Sequence, residues 1–310
     1  MDALSLLLQR SRGRIYDDWL DESLVPVEEF RRLTELRFAP GEIVIAVGSF
    51  VAEEVMSLDR DVVKVRYCHG FQDGHEEFMA RAWGGPVPTL AVSALLIPRL
   101  KAYGCQASVA VVPNGIRPEQ YFPDATDREG VGTVFGSHPA KDPETIIDVM
   151  ARIGERRPSV PRFVFGPEPP PRELKPFYWR YPSVEVTRRL YSKSLVWLVC
   201  SRSEGFCLPI LEAMACGCAV VSTDHAGARS LITAGHNGLV VPTGDANALL
   251  ASTELLLDNA VKREELVRNG FETVRQYSWE AAAVAMEVAL TKICGGAATS
   301  GHGRGCGSME

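Results

Sequence analysis

The sequence predicts an α/β protein, built as two units whose parallel sheets carry helices on both faces. Three observations predict it: short β-branched runs alternate with helical stretches, a polar Pro-Asn-Gly linker interrupts the alternation and is followed by its restart, and one strand–turn–helix–strand block stands out in the second half. At 310 residues the chain exceeds a typical single domain. Hydrophobic residues at 46% and charged residues at 23% predict a globular protein with a substantial core. A net charge of −6 argues against a general nucleic-acid binder but leaves room for a local basic pocket. No apolar run approaches the ~20 residues of a bilayer span. The run at 4–8 is too short for a signal peptide and no small-residue cleavage site follows it, while peripheral contact with a membrane stays compatible with the sequence. The eight cysteines are scattered. Cys216 and Cys218 form the one close pair, without partners at zinc-like spacing, so no metal site is expected and the thiols read as small buried groups of a cytoplasmic protein.

The elements follow in order. Residues 43–47, 62–67, 89–92 and 108–112 read as strands, and Ser93 is placed to cap a helix over 94–103 that Gly104 stops. Pro113-Asn114-Gly115-Ile116 and the polar stretch to Gly130 form the linker. Beyond it, a strand at 133–135 precedes a helix with Asp142 at its N-cap and Pro143 in its first turn. Ile146, Ile147, Met150 and Ile153 give that helix an apolar face ending at Gly154. Residues 162–165, 184–186, 195–200, 218–221 and 238–241 read as further strands, and Asp245 caps a helix to about Asp258. A final amphipathic helix covers 277–293, and the Gly-, Ala- and Ser-rich tail from Gly295 is expected to be disordered. Residues 1–40 show an isolated Gly13 and an acidic amphipathic stretch at 19–30, but no strand leading into a glycine-rich loop.

The densest chemistry lies in Ser201–Thr223, SRSEGFCLPILEAMACGCAVVST. Pro209 suits a first helical turn, where its missing N–H has no helical partner to lose. The amides of Gly205, Phe206, Cys207 and Leu208 then point outward at the positive end of a helix dipole, which attracts an anion by about 0.3–1 kcal/mol. Gly205 lets a ligand approach the backbone closely. A carboxylate at Glu204 would repel a phosphate and suits sugar hydroxyls better. The plain alternative is a solvent-facing Glu204 with Glu212 merely helping the helix to start.

With both glutamates in place around EGFCLPILEAMACGCAVV, the block resembles the Glu-x7-Glu motif of retaining glycosyltransferases, particularly glycosyltransferase family 4. The resemblance implies a GT-B fold of two Rossmann-like domains. It places a shortened acceptor-side domain at 1–115, a linker at 116–130, a nucleotide-sugar-binding domain at 131–277, a helix crossing back at 278–294 (YSWEAAAVAMEV looks like that helix) and a tail at 295–310. VVPNGI looks like the end of the family's N-terminal domain. By resemblance Glu204 orients the donor sugar, Glu212 takes the ribose hydroxyls, and Lys141, in GSHPAK after Gly136, holds the donor diphosphate. Ser137 stands where the family has an arginine, and Ser230, in HAGARSLI, stands where it usually has a glutamate. His69, in His69-Gly70, looks like the histidine that faces the donor sugar. Val164-Phe165-Gly166 looks like the border of the base, and Thr187 is a further backbone contact to it. The implied reaction moves a sugar from a UDP- or GDP-type donor to an acceptor hydroxyl with retention. It needs no cofactor and, absent an Asp-x-Asp motif at the donor site, no metal. The acceptor stays open among carbohydrate, lipid-linked and natural-product hydroxyls. For the short N-terminal domain three readings stay open: a start inside a longer gene, a compact variant, or a partner or second copy that supplies the missing part. Two other functions compete: a non-catalytic or partner-dependent nucleotide-sugar-binding subunit, and a GT-B nucleotide-sugar epimerase.

Overall fold

The computed structural model describes residues 6–9, 27–30, 33–125 and 127–300. Strands β1 (Leu6–Gln9) and β2 (Val27–Phe30) pair in parallel as a small separate sheet. Residues 1–40 therefore hold two short strands that the pattern reading did not expect; Gly13 and most of 19–30 lie outside the described residues.

The N-terminal domain is a four-stranded parallel sheet in the order β3 (Glu42–Val47), β4 (Val62–Cys68), β5 (Thr89–Ala91), β6 (Val109–Val111). Helices α1 (Ser49–Met56), α2 (Glu76–Trp83) and α3 (Ile97–Ala102) connect the strands. Ser93 caps as its sequence position predicts, its hydroxyl accepting the Leu95 N–H at 3.1 Å, but it opens a 3-10 turn at Ala94–Leu96. The α-helix proper starts at Ile97, because Pro98 fits only a first turn.

The second domain is a six-stranded sheet in the order β12-β11-β10-β7-β8-β9, parallel throughout. Its strands are β7 (Gly130–Val134), β8 (Arg162–Gly166), β9 (Tyr178–Arg180), β10 (Ser194–Val199), β11 (Ala219–Thr223) and β12 (Leu239–Val241). The helices are α4 (Pro143–Arg156), α5 (Val184–Lys193), α6 (Leu208–Ala215), α7 (Ala226–Leu231), α8 (Ala246–Asp258), α9 (Ala260–Val274) and α10 (Trp279–Ser300).

Among the differences from the sequence reading, two have evident local causes. Residues 184–186 open a helix rather than a strand, because the Ser183 hydroxyl accepts the Val186 N–H and Glu185 sits in the first turn, at the positive end of the helix. Gly154 does not stop α4. Its missing Cβ makes room for Arg162, whose guanidinium donates to the Met150 carbonyl at 3.0 Å and lies over Phe177. Helix α9 was not foreseen. Helix α10 runs past Gly295 to Ser300, into the stretch expected to be disordered, and 301–310 lie outside the described residues.

The two domains share one apolar cluster that includes Leu90, Leu100, Trp197, Leu211 and Ala289 of α10, while a second cluster fills the other face of the second sheet. The chain crosses between domains at two adjoining places. Ile116 bridges to Ser278 and donates its N–H to the Tyr277 carbonyl at 3.0 Å. Gly115 lies so close to Trp279 that a Cβ would stand 2.3 Å from its nitrogen.

Candidate active site

In the second sheet the strand order reverses between β7 and β10. Ligands of open parallel sheets bind at the carboxyl ends of the strands flanking such a reversal. The loops that leave these two strands carry Gly136 to Lys141 and Ser201 to Cys207, and they are tied together. The Arg202 N–H donates to the Ala140 carbonyl at 2.7 Å, and the Lys141 ammonium pairs with the Glu204 carboxylate. Ser201 Oγ donates to the same Glu204 oxygen at 2.9 Å. The Glu204 side chain is only 16% exposed and that of Lys141 39%, so the pair sits partly out of solvent. Pro209 occupies the first turn of α6, and Cys207 before it adopts a left-handed backbone, φ 72°. The first amides of α6 lack a helical acceptor four residues back.

The N-terminal domain reaches this point directly. The His69–Gly70 turn follows β4, and a Cβ on Gly205 would lie 1.8 Å from the His69 carbonyl oxygen. Only glycine fits there. The His69 ring packs against Tyr67, centroids 4.3 Å apart, and keeps an accessible edge. The surrounding protein lowers its pKa by desolvation, so it stays neutral near pH 7. The structure thus brings Lys141 onto Glu204 and the His69 main chain onto Gly205, at neighbouring positions of one loop.

The other candidates divide. Gly136 lies against the Lys141 side chain, where a Cβ would stand 3.1 Å from its Cγ. Ser137 is exposed, and its N–H donates to the Glu168 carboxylate. Gly166 is required by packing, since a Cβ there would meet the Phe135 carbonyl oxygen at 2.2 Å. The side chains of Phe206 and Cys207 are buried, so these residues offer only backbone; Leu208 is partly buried. Phe206 packs edge-on against Tyr277, and burial pushes the Cys207 thiol well above its ordinary pKa. Glu212 accepts from Tyr191 Oη at 2.8 Å and also bonds Tyr121 of the linker. Burial raises its pKa, and the two phenols work against that rise. Thr187 is a correction: it lies buried in the first turn of α5, its N–H given to the Ser183 carbonyl, and at no strand end. The strand beside β8 is β9, and the residues leaving its carboxyl end are Tyr181 and Pro182.

Three features escaped the sequence reading. His225 caps α7: its Nδ1 accepts the Ala228 N–H at 3.0 Å, and burial pushes its pKa down to about 4. The hydroxyls of Ser93 and Ser230 meet at 2.6 Å across the domains. Tyr191 and Tyr121 hold Glu212. A His directly before a short helical pattern signals the first of these; pairings between distant residues leave no local trace. Cavity size points elsewhere than the switch point. Grooves of about 510 and 460 Å³ run along α9 and the linker, while the space enclosed by Lys141, Ser201, Glu204, Cys207 and Pro209 is about 20 Å³. The smaller one is where the Lys141–Glu204 pair and the start of α6 come together. Among the described residues no helix is long and apolar enough to cross a membrane.

Two parallel α/β domains, the second with a reversal of strand order at its centre, make up a GT-B architecture, and solved structures bear this out. Sucrose-phosphate synthase from Thermosynechococcus elongatus superposes with a TM-score of 0.70 at 18% identity, over 81% of this chain and 73% of that one. The Anabaena protein HepE, solved with UDP-glucose, gives 0.67 at 16% identity, over 81% and 78%. Residues 133–273, most of the second domain, match the family model described as Glycosyl transferases group 1. Among curated relatives, the phosphatidyl-myo-inositol mannosyltransferase of Mycobacterium leprae is 41% identical over 80 residues, 26% of this chain and 21% of that protein. The chain therefore aligns with about a fifth of that relative's length.

Proposed function

We propose that this protein transfers a sugar from a UDP- or GDP-type nucleotide sugar to an acceptor hydroxyl, with retention of configuration, as family 4 enzymes do. The observation that carries the reading is the meeting of His69, Lys141, Glu204 and Gly205 where the strand order reverses. In this reading the donor diphosphate lies on the α6 amides and draws Lys141 toward it. Fixed donors aimed at the charge that develops on the leaving diphosphate lower the barrier without reorganising solvent. With a lysine and a helix end in that role, the reaction runs without a divalent cation. Glu204, released from Lys141, accepts hydrogen bonds from the sugar hydroxyls. The acceptor attacks on the face that the leaving group vacates, and a phosphate oxygen takes its proton. Acceptors of the carbohydrate, lipid-linked and natural-product classes all fit this scheme. The free, buried thiols suit a reducing cytoplasmic setting.

One observation favours a second reading, that of a binding subunit without turnover. Ser137 replaces the family's arginine, and its amide is already taken by a carboxylate, that of Glu168. Titration with GDP and UDP, followed by assay of the matching nucleotide sugars for transfer and for donor hydrolysis, separates the two. Binding with release of nucleoside diphosphate supports the transferase. Binding without any turnover supports the subunit, and no binding of either nucleotide sinks both.

A further inference from the structure

The geometry points to Tyr181 as the platform on which the donor nucleobase stacks, with Arg180 steadying the ring. This inference rests on the donor-site reading above and names the residue that grips its nucleoside. Tyr181 leaves the carboxyl end of β9, beside Gly166 and Glu168 at the end of β8 and Ser137 at the end of β7. These three strand ends form one rim of the parallel sheet, on the side where such sheets take ligands. Tyr181 is anchored there, its N–H donating to the Gly166 carbonyl at 3.1 Å.

Its conformation is unusual. Tyr181 has φ 47°, a left-handed backbone that a bulky side chain adopts only at a cost. The following Pro182 pushes its neighbour toward extended backbone, which adds to that cost. Packing does not compensate, because Tyr181 remains 54% exposed. The Arg180 guanidinium lies 5.2 Å from the ring centroid while its Nε donates to the Pro167 carbonyl at 3.3 Å. The neighbouring aromatics do otherwise: Tyr178 is partly buried, its hydroxyl on the Glu168 carbonyl, and Trp179 packs toward Phe163. A strained, fixed and solvent-facing ring at the ligand end of a strand is what a planar base requires. Every base has a π-face, so the platform grips the nucleoside, and the polar groups on the rim are left to choose the base.

The test uses the full chain, with GDP, UDP and inorganic pyrophosphate as probes in calorimetric titration. Tyr181→Gly removes the ring and also relieves the backbone, since glycine is at ease with positive φ. A folding defect therefore cannot imitate the result. Tyr181→Phe keeps the π-face. Stacking energies of this kind correspond to about 5- to 150-fold in affinity. Tyr181→Gly is expected to weaken the nucleoside diphosphate that the wild type binds by that factor, with pyrophosphate unchanged and Tyr181→Phe close to wild type. Wild-type affinity in Tyr181→Gly overturns the platform and leaves the donor site standing. Equal weakening of nucleotide and pyrophosphate also overturns it, because it shows a general distortion. A wild type that binds no nucleoside diphosphate overturns the donor-site reading itself.

Discussion

Lys141 and Glu204 pair with each other across 63 positions of sequence, and this is the residue-scale core of the proposal. Each has a separate task in the proposed reaction, yet in the structure each is the other's counter-charge. Replacing either leaves its partner partly buried and alone, so the two losses should not add. Lys141→Ala is expected to lower kcat/KM by about 10²–10³-fold, the scale of losing one fixed donor at a developing charge. Glu204→Ala should fall in the same range, and the double variant should fall little further than either single one. Steady-state rates with the matched nucleotide sugar check this, with melting curves to show that all three variants fold. Rates of both single variants within twofold of wild type would remove these residues from the mechanism.

At the scale of elements, α7 rests on a neutral histidine. His225 accepts the Ala228 N–H through Nδ1 and lies near Ser222 through Nε2, both in the interior. Its pKa falls from 6.5 to about 4 on folding, chiefly through desolvation. The unfolded chain therefore binds the extra proton first. The stability this group contributes is complete above pH 6.5 and declines as the pH drops toward 4, by about 3 kcal/mol at most. Denaturant melts between pH 7 and 4.5 should show this slope in the wild type and a shallower one in His225→Asn, which keeps a side-chain acceptor for the cap.

Much of this level was legible in the sequence. Caps at Ser93, Asp245 and Pro209 act over three or four residues, and the structure places them where the pattern did. Five strands of the second sheet were read from their apolar runs, since buried parallel strands are continuous apolar stretches, while the short, exposed edge strand β9 was missed. The failures are also physical. Val184 and Val186 are β-branched, and only the Ser183 cap decides for a helix. Gly154 looked like a stop because the guanidinium that fills its empty side comes from β8. In the site, the sequence singled out Lys141, Glu204 and Gly205, which lie on the two neighbouring loops of the switch point. Tyr121 on Glu212 and Ser93 on Ser230 were not, since each joins residues far apart in the chain.

At the scale of the whole molecule, four strands face six, and the halves touch at the site through main chain. Gly205→Ala tests that contact. Its Cβ would stand 1.8 Å from the His69 carbonyl, so the cleft must part to admit it. The variant is expected to fold with nearly unchanged circular dichroism, to show a larger radius of gyration in solution scattering, and to lose most of its turnover. Full activity at an unchanged radius would mean that this approach has no part in the working state.

Where His69 meets Gly205 the two halves touch as main chain on main chain. Any rotation of one half of the molecule against the other would turn about the adjoining crossings at Gly115–Ile116 and Tyr277–Ser278. For the proposed reaction the tempo of turnover then belongs to that hinge, some distance from any bond being broken, and residues that never touch a sugar set how fast the enzyme works.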